Sequence, residues 1–369
     1  MHPLQNKKSD RTLLLTVLAL TLFGLVMIAS ASVIYSQTHF GDQYFFFKRQ
    51  LFFGIVPGLA VLYFFSKFDY HRLKKIAVPF FLASLVFLIL VFVPGFGTEV
   101  YGANRWLQLG PISFQPSEML KLAMILYLAA WLESKGHKKI RDFFEGLLPF
   151  LAIIGLAGFL IIKQPDTGTL GIIVLTSIAI FFASGAKVSH ILGLMLSGVG
   201  VLLILIKSAP YRLNRFLVFL NPEMDTQGIG YQINQAILAI GSGGIFGLGL
   251  GLSRKKFNYL PEPAGDSIFA IIGEELGLIG ATILILLFVV LAIKGYKIAR
   301  NSLDEFGKLV AVGITSWIIF QAFINIAAIT GIIPLTGIPL PFISYGGTSI
   351  VFLLAGVGIL LNISKQSRM

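Results

Sequence analysis

Carboxylates are the side chains of this sequence best placed to do chemistry. There is no cysteine, and the five histidines, His2, His39, His71, His137 and His190, lie far apart with no i, i+4 pair. Thiolate catalysis, disulfide frameworks and a tightly held transition metal therefore lack a ligand pattern. Asp266 closes the run Asn258-Tyr259-Leu260-Pro261-Glu262-Pro263-Ala264-Gly265-Asp266-Ser267, and a long apolar segment begins directly after it. A carboxylate at such a water-membrane boundary is partly desolvated, which raises its pKa toward the range useful for a general base. An Asp just ahead of an apolar helix equally suits an N-cap, so position alone leaves both readings open. Glu262, Glu223 and Asp225 in the same loop are the alternative acids, or else ordinary solvated carboxylates. Asp166, in Lys163-Gln164-Pro165-Asp166-Thr167-Gly168-Thr169, fits a turn or helix cap as well as a site. A loosely bound Mg²⁺ or Ca²⁺ on these carboxylates stays open; no other cofactor is expected.

Ionisable groups at membrane depth cost roughly 2.5–3.5 kcal/mol each on insertion scales, so every one needs a partner or a purpose. Glu118 and Lys121 are spaced i, i+3 and can neutralise each other on one helix face, either as a structural pair or to hold a polar headgroup. Glu274 and Glu275 are adjacent, so on a helix they diverge by about 100° and are not expected to share a partner. Arg105, Arg212, Arg215, Arg254, Lys255 and Lys256 suggest a basic outer surface, suited to a phosphate-bearing substrate or to anionic lipid.

The elements that must position these groups are set by composition. The chain of 369 residues is 56% hydrophobic and only 12% charged. A soluble fold would have to expose that excess, whereas lipid solvates it. The net charge of +12 comes as short Lys and Arg clusters between apolar runs, which argues for membrane topology and against nucleic acid. Ten runs reach the length needed to cross a bilayer, near 12–35, 50–66, 76–96, 117–133, 146–163, 168–186, 190–207, 267–293, 308–331 and 346–363. The first, preceded by Lys7, Lys8 and Arg11, is too long for the core of a signal peptide and is expected to be retained.

With the N-terminus inside, the short inner segments hold eighteen Lys and Arg, from Lys7 and Lys8 to Lys365 and Arg368, against five in the short outer ones. Both termini are thus expected in the cytoplasm. The expected architecture is an all-α integral membrane protein: a single polytopic domain over 1–369, ten transmembrane helices, and one large extracytoplasmic loop over 208–266. That loop holds a helical pattern from Tyr231 to Ile240 and a Gly-rich apolar stretch from Gly241 to Gly251, suited to a re-entrant path. A second outer loop, 97–117, carries Tyr101-Gly102-Ala103-Asn104-Arg105-Trp106, and a third, 332–345, is rich in Pro and Gly.

Several of these segments together resemble the SEDS family of shape, elongation, division and sporulation proteins, which includes FtsW, RodA and SpoVE. The resemblance runs over nearly the whole chain. It rests on Asn104-Arg105-Trp106, Gln115-Pro116-Ser117-Glu118 with Lys121, Gln164 to Thr169, and Gly241-Ser242-Gly243-Gly244 with Gly247-Leu248-Gly249. Its strongest marks are Leu260 through Asp266-Ser267 to Glu274-Glu275-Leu276-Gly277, and Pro339-Leu340-Pro341-Phe342-Ile343-Ser344-Tyr345-Gly346-Gly347-Thr348-Ser349. The resemblance implies a peptidoglycan glycosyltransferase of the bacterial cytoplasmic membrane that polymerises lipid II on the outer face. Asp266 matches the family's essential acid and would deprotonate the acceptor hydroxyl. Arg105, Glu118, Lys121, Glu262 and Ser344 fall at polar positions expected to bind substrate. A class B penicillin-binding protein and other division proteins are the implied partners. Gly230-Tyr231-Gln232, Ser253-Arg254-Lys255-Lys256 and Gly265-Asp266-Ser267 look closer to FtsW than to RodA, which points to the division septum. Ser267 departs from the Phe that many relatives carry after the acid.

Two other functions fit the same composition. A lipid II flippase needs polar groups through the membrane depth, whereas the charged residues here gather at the outer boundary. A scaffold that only recruits a transpeptidase would tolerate Asn at position 266, because Asn caps a helix as Asp does.

Overall fold

The computed structural model describes residues 9–100, 103–110, 112–225, 227–257 and 259–367. His2, Lys7, Lys8, Arg368, Tyr101, Gly102 and Asn258 lie outside the described residues.

Each of the ten apolar runs is helical. The helices are α1 (Arg11–Ala31), α2 (Val33–Phe40), α3 (Phe45–Gln50), α4 (Val56–Lys67), α5 (His71–Leu90), α6 (Pro116–Ile140), α7 (Leu148–Lys163), α8 (Thr167–Ala183), α9 (Val188–Lys207), α10 (Pro210–Leu220), α11 (Ile229–Gly243), α12 (Ile268–Arg300), α13 (Glu305–Ile329) and α14 (Gly347–Lys365). A π-helical turn, Leu51–Ile55, joins α3 to α4 in one rod, and another, Phe143–Leu147, leads into α7. Among the described residues, eight helices are long and apolar enough to cross a membrane. Of the other two expected spans, α8 is a shorter apolar helix of 17 residues, and α6 carries Glu118 and Lys121 near its start and Lys138 and Lys139 in its last turn. The chain is an integral membrane protein, with α13 and α14 largely buried at the centre of the bundle and α9 exposing apolar side chains along nearly its whole length. Exposed Leu and Val on that scale are stable only against lipid.

The all-α expectation needs one amendment. The loop 97–117 folds into an antiparallel meander, β1 (Gly97–Val100), β2 (Ala103–Leu109) and β3 (Ile112–Phe114), with Thr98 opposite Trp106 and Leu107 opposite Phe114. In β2, Leu107 turns inward and its neighbour Gln108 outward, as successive residues of a strand do. The sheet delivers Arg105 to the site described below.

Inter-helix turns meet at two poles. At one, Lys365 Nζ donates to the Ser66 carbonyl, the Tyr70 hydroxyl donates to Asp304, and His137 contacts the Ser184 carbonyl. At the other, Gly346 N donates to Gln50, Arg105 reaches the turn before α8, and Thr348 Oγ1 donates to the Ser113 carbonyl.

The long loop is built of α10, a 3₁₀ turn (Pro222–Met224), α11 and a Gly-rich stretch that docks into a break in α12. The break is at Gly277, whose φ of 64° and ψ of −164° no side-chain-bearing residue adopts cheaply. Backbone groups freed there are re-paired: Leu248 N and Gly249 N donate to the carbonyls of Glu274 and Glu275, and Leu278 N donates to the Gly244 carbonyl, each at 2.9 Å. Such pairing is what irregular backbone needs at membrane depth.

Two expectations are corrected here. Glu274 and Glu275 do share a partner, because the segment Ser253–Lys256 wraps around both. Glu274 accepts from Ser253 Oγ at 2.5 Å and from Arg254 N at 2.9 Å, while Glu275 accepts from Ser253 N at 3.3 Å and from Ser30 Oγ at 2.7 Å. Lys256 does not join a basic surface; it is buried, 3.1 Å from the Glu275 carboxylate, with a further bond to the Gly251 carbonyl.

Candidate active site

Asp266 is held by its backbone and only loosely by its side chain. Three successive carbonyls of its turn each accept one hydrogen bond from the α13–α14 side: Ala264 O from Tyr345 N at 2.8 Å, Gly265 O from Ser344 Oγ at 2.7 Å, and Asp266 O from Asn325 Nδ2 at 2.8 Å. Within the turn, Glu262, at φ 49°, accepts from Gly265 N and Ser267 N through its own carbonyl. The N-cap residue of α12 is Ser267, and no side chain caps the helix there. Among the described residues, the side chains that reach the Asp266 carboxylate as donors are Ser267 Oγ at 3.4 Å and Gln232 Nε2 at 3.5 Å, both at the long limit of hydrogen bonding.

Burial raises the Asp266 pKa to about 6, with the nearby negative charge of Glu262 acting in the same direction; the Ser267 hydroxyl and the Arg215 guanidinium pull the other way. A carboxyl tuned to that range is ionised at neutral pH yet basic enough to take a proton from a sugar hydroxyl.

Two arginines from separate elements act on each other, and one of them, Arg215, acts on this carboxylate. Arg105 on β2 is oriented by two backbone carbonyls, donating from Nε to Gln164 O at 2.9 Å and from an Nη to Pro165 O at 2.6 Å. Arg215 comes from α10, a helix that exposes Tyr211, Leu213, Leu217 and Leu220. Burial, followed by the positive charge of Arg105, holds the Arg215 guanidinium below its ordinary pKa, and the charges of Asp266 and Asp166 act in the opposite sense. Arg105, Arg215, Asp166 and Asp266 therefore share one electrostatic neighbourhood, although the sequence scatters them over 162 positions.

The other expected residues are placed as follows. Asp166 is a cap, accepting from Thr169 N at 3.1 Å at the start of α8. Asp225 accepts from Gly228 N and Ile229 N, both at 2.8 Å, and so starts α11, while Glu223 is exposed. Glu262 is exposed beside Asp266. Ser344 is buried, and its hydroxyl donates to Gly265 O and accepts from Leu340 N. Glu118 and Lys121 are almost wholly buried and paired at 2.8 Å; Lys121 also donates to Gln321 Oε1 at 2.8 Å and lies over the Trp317 ring. This pair faces its own helices, while the acid at 266 faces the loops. Among the described residues, no three His, Cys, Asp or Glu side chains gather in a way that would hold a metal ion.

Sequence reasoning missed Gln232, Gln321 and Asn325. The signal for the last two was present: two amides spaced i, i+4 in an otherwise apolar span must find partners on one face.

The chain's kinship agrees with this layout. A family model described as a cell cycle protein, FtsW, RodA and SpoVE, matches residues 10–369. The stage V sporulation protein E of Bacillus subtilis is 45% identical over 365 residues, covering 98% of this chain and 99% of that protein. The probable peptidoglycan glycosyltransferase FtsW of Trichlorobacter lovleyi is 41% identical over 362 residues, covering 98% and 94%. Among solved structures, the rod shape determining protein RodA of Thermus thermophilus superposes with a TM-score of 0.72 at 26% identity, covering 98% of each chain. A chain of a peptidoglycan synthase complex, described for its coordination of polymerization and crosslinking, superposes with a TM-score of 0.78 at 26% identity, covering 96% and 97%. Matched from end to end in sequence and in fold, the chain belongs to the FtsW, RodA and SpoVE family of membrane proteins.

Proposed function

We propose that this protein is a peptidoglycan glycosyltransferase that polymerises lipid II at the outer face of the bacterial cytoplasmic membrane and serves septal wall synthesis. The observation that carries the reading is the loosely bonded Asp266 carboxylate, which caps no helix, is tuned by burial and has Arg215 beside it, with Arg105 next to Arg215. Asp266 takes the proton of the acceptor sugar hydroxyl. The oxygen then forms a bond to the anomeric carbon of the donor, the bond from that carbon to the diphosphate breaks, and undecaprenyl pyrophosphate leaves with the electron pair. Arg105 and Arg215 stabilise the charge that develops on the departing diphosphate, a role for which guanidinium is suited because it meets phosphate oxygens two at a time. Glu262 holds the acid's pKa up and faces the incoming sugar. Glu118 and Lys121 are engaged with each other and with Gln321, and support the site from within the helix bundle.

In this reading ten spans cross the membrane, both termini are cytoplasmic and the pole bearing Asp266 is outside, in line with the Lys and Arg count. The septal role follows the likeness to FtsW. A class B penicillin-binding protein is the partner, in line with the related complex that couples polymerization to crosslinking. A flippase is less well supported: the deep charges are taken up in two pairs, Glu118 with Lys121 and Glu275 with Lys256.

The test is reconstitution. The protein, purified with its class B partner and given lipid II, is expected to yield glycan polymer on a gel. A folded complex that makes none, while lipid II crosses protein-bearing liposomes, would instead establish a transporter.

A further inference from the structure

Asn325 and Gln321 stand one helical turn apart on α13, both almost completely buried. The Asn325 amide nitrogen donates to two carbonyls at once, Asp266 O and Ile338 O, each at 2.8 Å. Its orientation is dictated, because a flipped amide would set oxygen against both carbonyls. Gln321 repeats the pattern one turn earlier: its nitrogen donates to Pro339 O at 3.0 Å, and its oxygen accepts from Lys121 Nζ at 2.8 Å and Trp317 Nε1 at 2.9 Å. The two amides thereby bind successive carbonyls, 338 and 339, of the loop whose Ser344 and Tyr345 hold the two carbonyls before Asp266. A side chain at Gly337 of the same loop would bring its Cβ to 3.9 Å from the Asp266 carboxylate.

We propose that Asn325 is a positioning residue for Asp266, locking the turn 262–266 and the loop 337–345 into one body, and that Gln321 joins this body to the buried Glu118–Lys121 pair. Ser344 belongs to the same clamp, with its only proton given to Gly265 O. The acid's backbone is thus fixed by three tethers while its carboxylate, whose charged neighbours are Glu262 and Arg215, stays free to move a proton. A base displaced by about 1 Å can lose 100-fold in rate without any change in substrate contacts.

This inference rests on the polymerase reading, and two measurements separate the two. In the purified complex with its class B partner, Asn325→Leu is expected to lower kcat by roughly 10- to 100-fold with KM within about twofold. Loosening the turn also lets water reach the carboxylate, so the acid limb of the kcat profile is expected to move from near pH 6 toward the ordinary carboxylate value of 3.8. Ser344→Ala, which removes a neighbouring tether with less change of volume, is expected to show the same pattern more weakly, and Asn325→Gln to restore part of kcat. The second measurement needs no activity: hydrogen exchange over residues 260–268 and 336–345 is expected to quicken in both Asn325→Leu and Ser344→Ala. If wild type makes no polymer, the polymerase reading fails and exchange alone judges the clamp. Exchange unchanged in both segments, or a reduced rate with an unmoved acid limb, would overturn the proposal. If Asn325→Leu does not fold, Ser344→Ala decides by the same criteria.

Discussion

Asp166 and Asp266 occupy matching places, each at the start of an apolar helix, yet only Asp166 is a cap. Its Oδ1 accepts from Thr169 N at 3.1 Å, whereas α12 begins at Ile268 with Ser267 in the N-cap position and no side-chain cap, and the Asp266 carboxylate turns toward Gln232 and Ser267. Capping stabilises a helix by about 1 kcal/mol, and Asp266 forgoes it. A carboxylate kept half-buried without that reward lacks the main structural explanation for an acid at this position, which supports its proposed role as a base.

The pH profile of polymerisation follows from this placement. Asp266 acts as a base only when ionised, and its pKa is raised to about 6. Below pH 6 the rate is expected to fall tenfold per pH unit, and above it to level off. Initial rates from pH 4.5 to 8 check this; a rate unchanged down to pH 4.5 would rule out an acid so tuned.

Stability should respond in the opposite sense to activity. A group with a folded pKa of about 6 and an ordinary value of 3.8 holds its proton more tightly in the native state. It contributes stability below about pH 4, and that contribution is lost as pH rises through 6. Asp266→Asn cannot ionise, so it is expected to melt higher than wild type at pH 7, by about 2–4 °C per kcal/mol relieved, and equally at pH 4. Thermal unfolding in detergent at the two pH values reads this directly, and a variant that melts lower at pH 7 would show that the carboxylate is structural.

The Lys256–Glu275 pair lies where either charge alone would be costly. Lys256→Met leaves Glu275 buried with Ser30 and Ser253 as its remaining donors. Breaking a buried pair costs about 3–5 kcal/mol, while replacing both partners is often nearly neutral. Lys256→Met and Glu275→Gln are each expected to lower the melting temperature sharply, and the double variant to recover most of the loss. Additive losses in the double variant would mean the two do not act as a pair.

Gly277 is where the long loop is seated. A Cβ there would lie 2.4 Å from Gly247 N and 2.6 Å from Ile245 O, on a backbone at φ 64°. Gly277→Ala is expected to destabilise by more than about 2 kcal/mol and to release the stretch 244–252, which limited proteolysis would detect. A wild-type melting temperature and digestion pattern would contradict the docking of that stretch.

Apolar runs and their lengths made the helical bundle legible in the sequence, because lipid imposes a simple length rule on each element. The meander at 97–114 was less so: strands of three to seven residues in a loop carry too little alternation to stand out. Asp266 was legible by its place before an apolar run, but its freedom from capping was not, since that depends on where the turn 262–266 is tied. The joint hold of Glu274 and Glu275 on Ser253–Lys256 was invisible for a similar reason. Helical geometry separates neighbouring side chains, and only a loop that wraps around the helix brings one segment to both.

The most direct measurement compares glycan polymer made from lipid II by the wild-type complex and by Asp266→Asn at matched folding. The account predicts polymer from wild type and a loss of at least about 100-fold in the variant, whose fold and partner binding are unchanged. Equal polymer from both would contradict the assignment of Asp266 as the base.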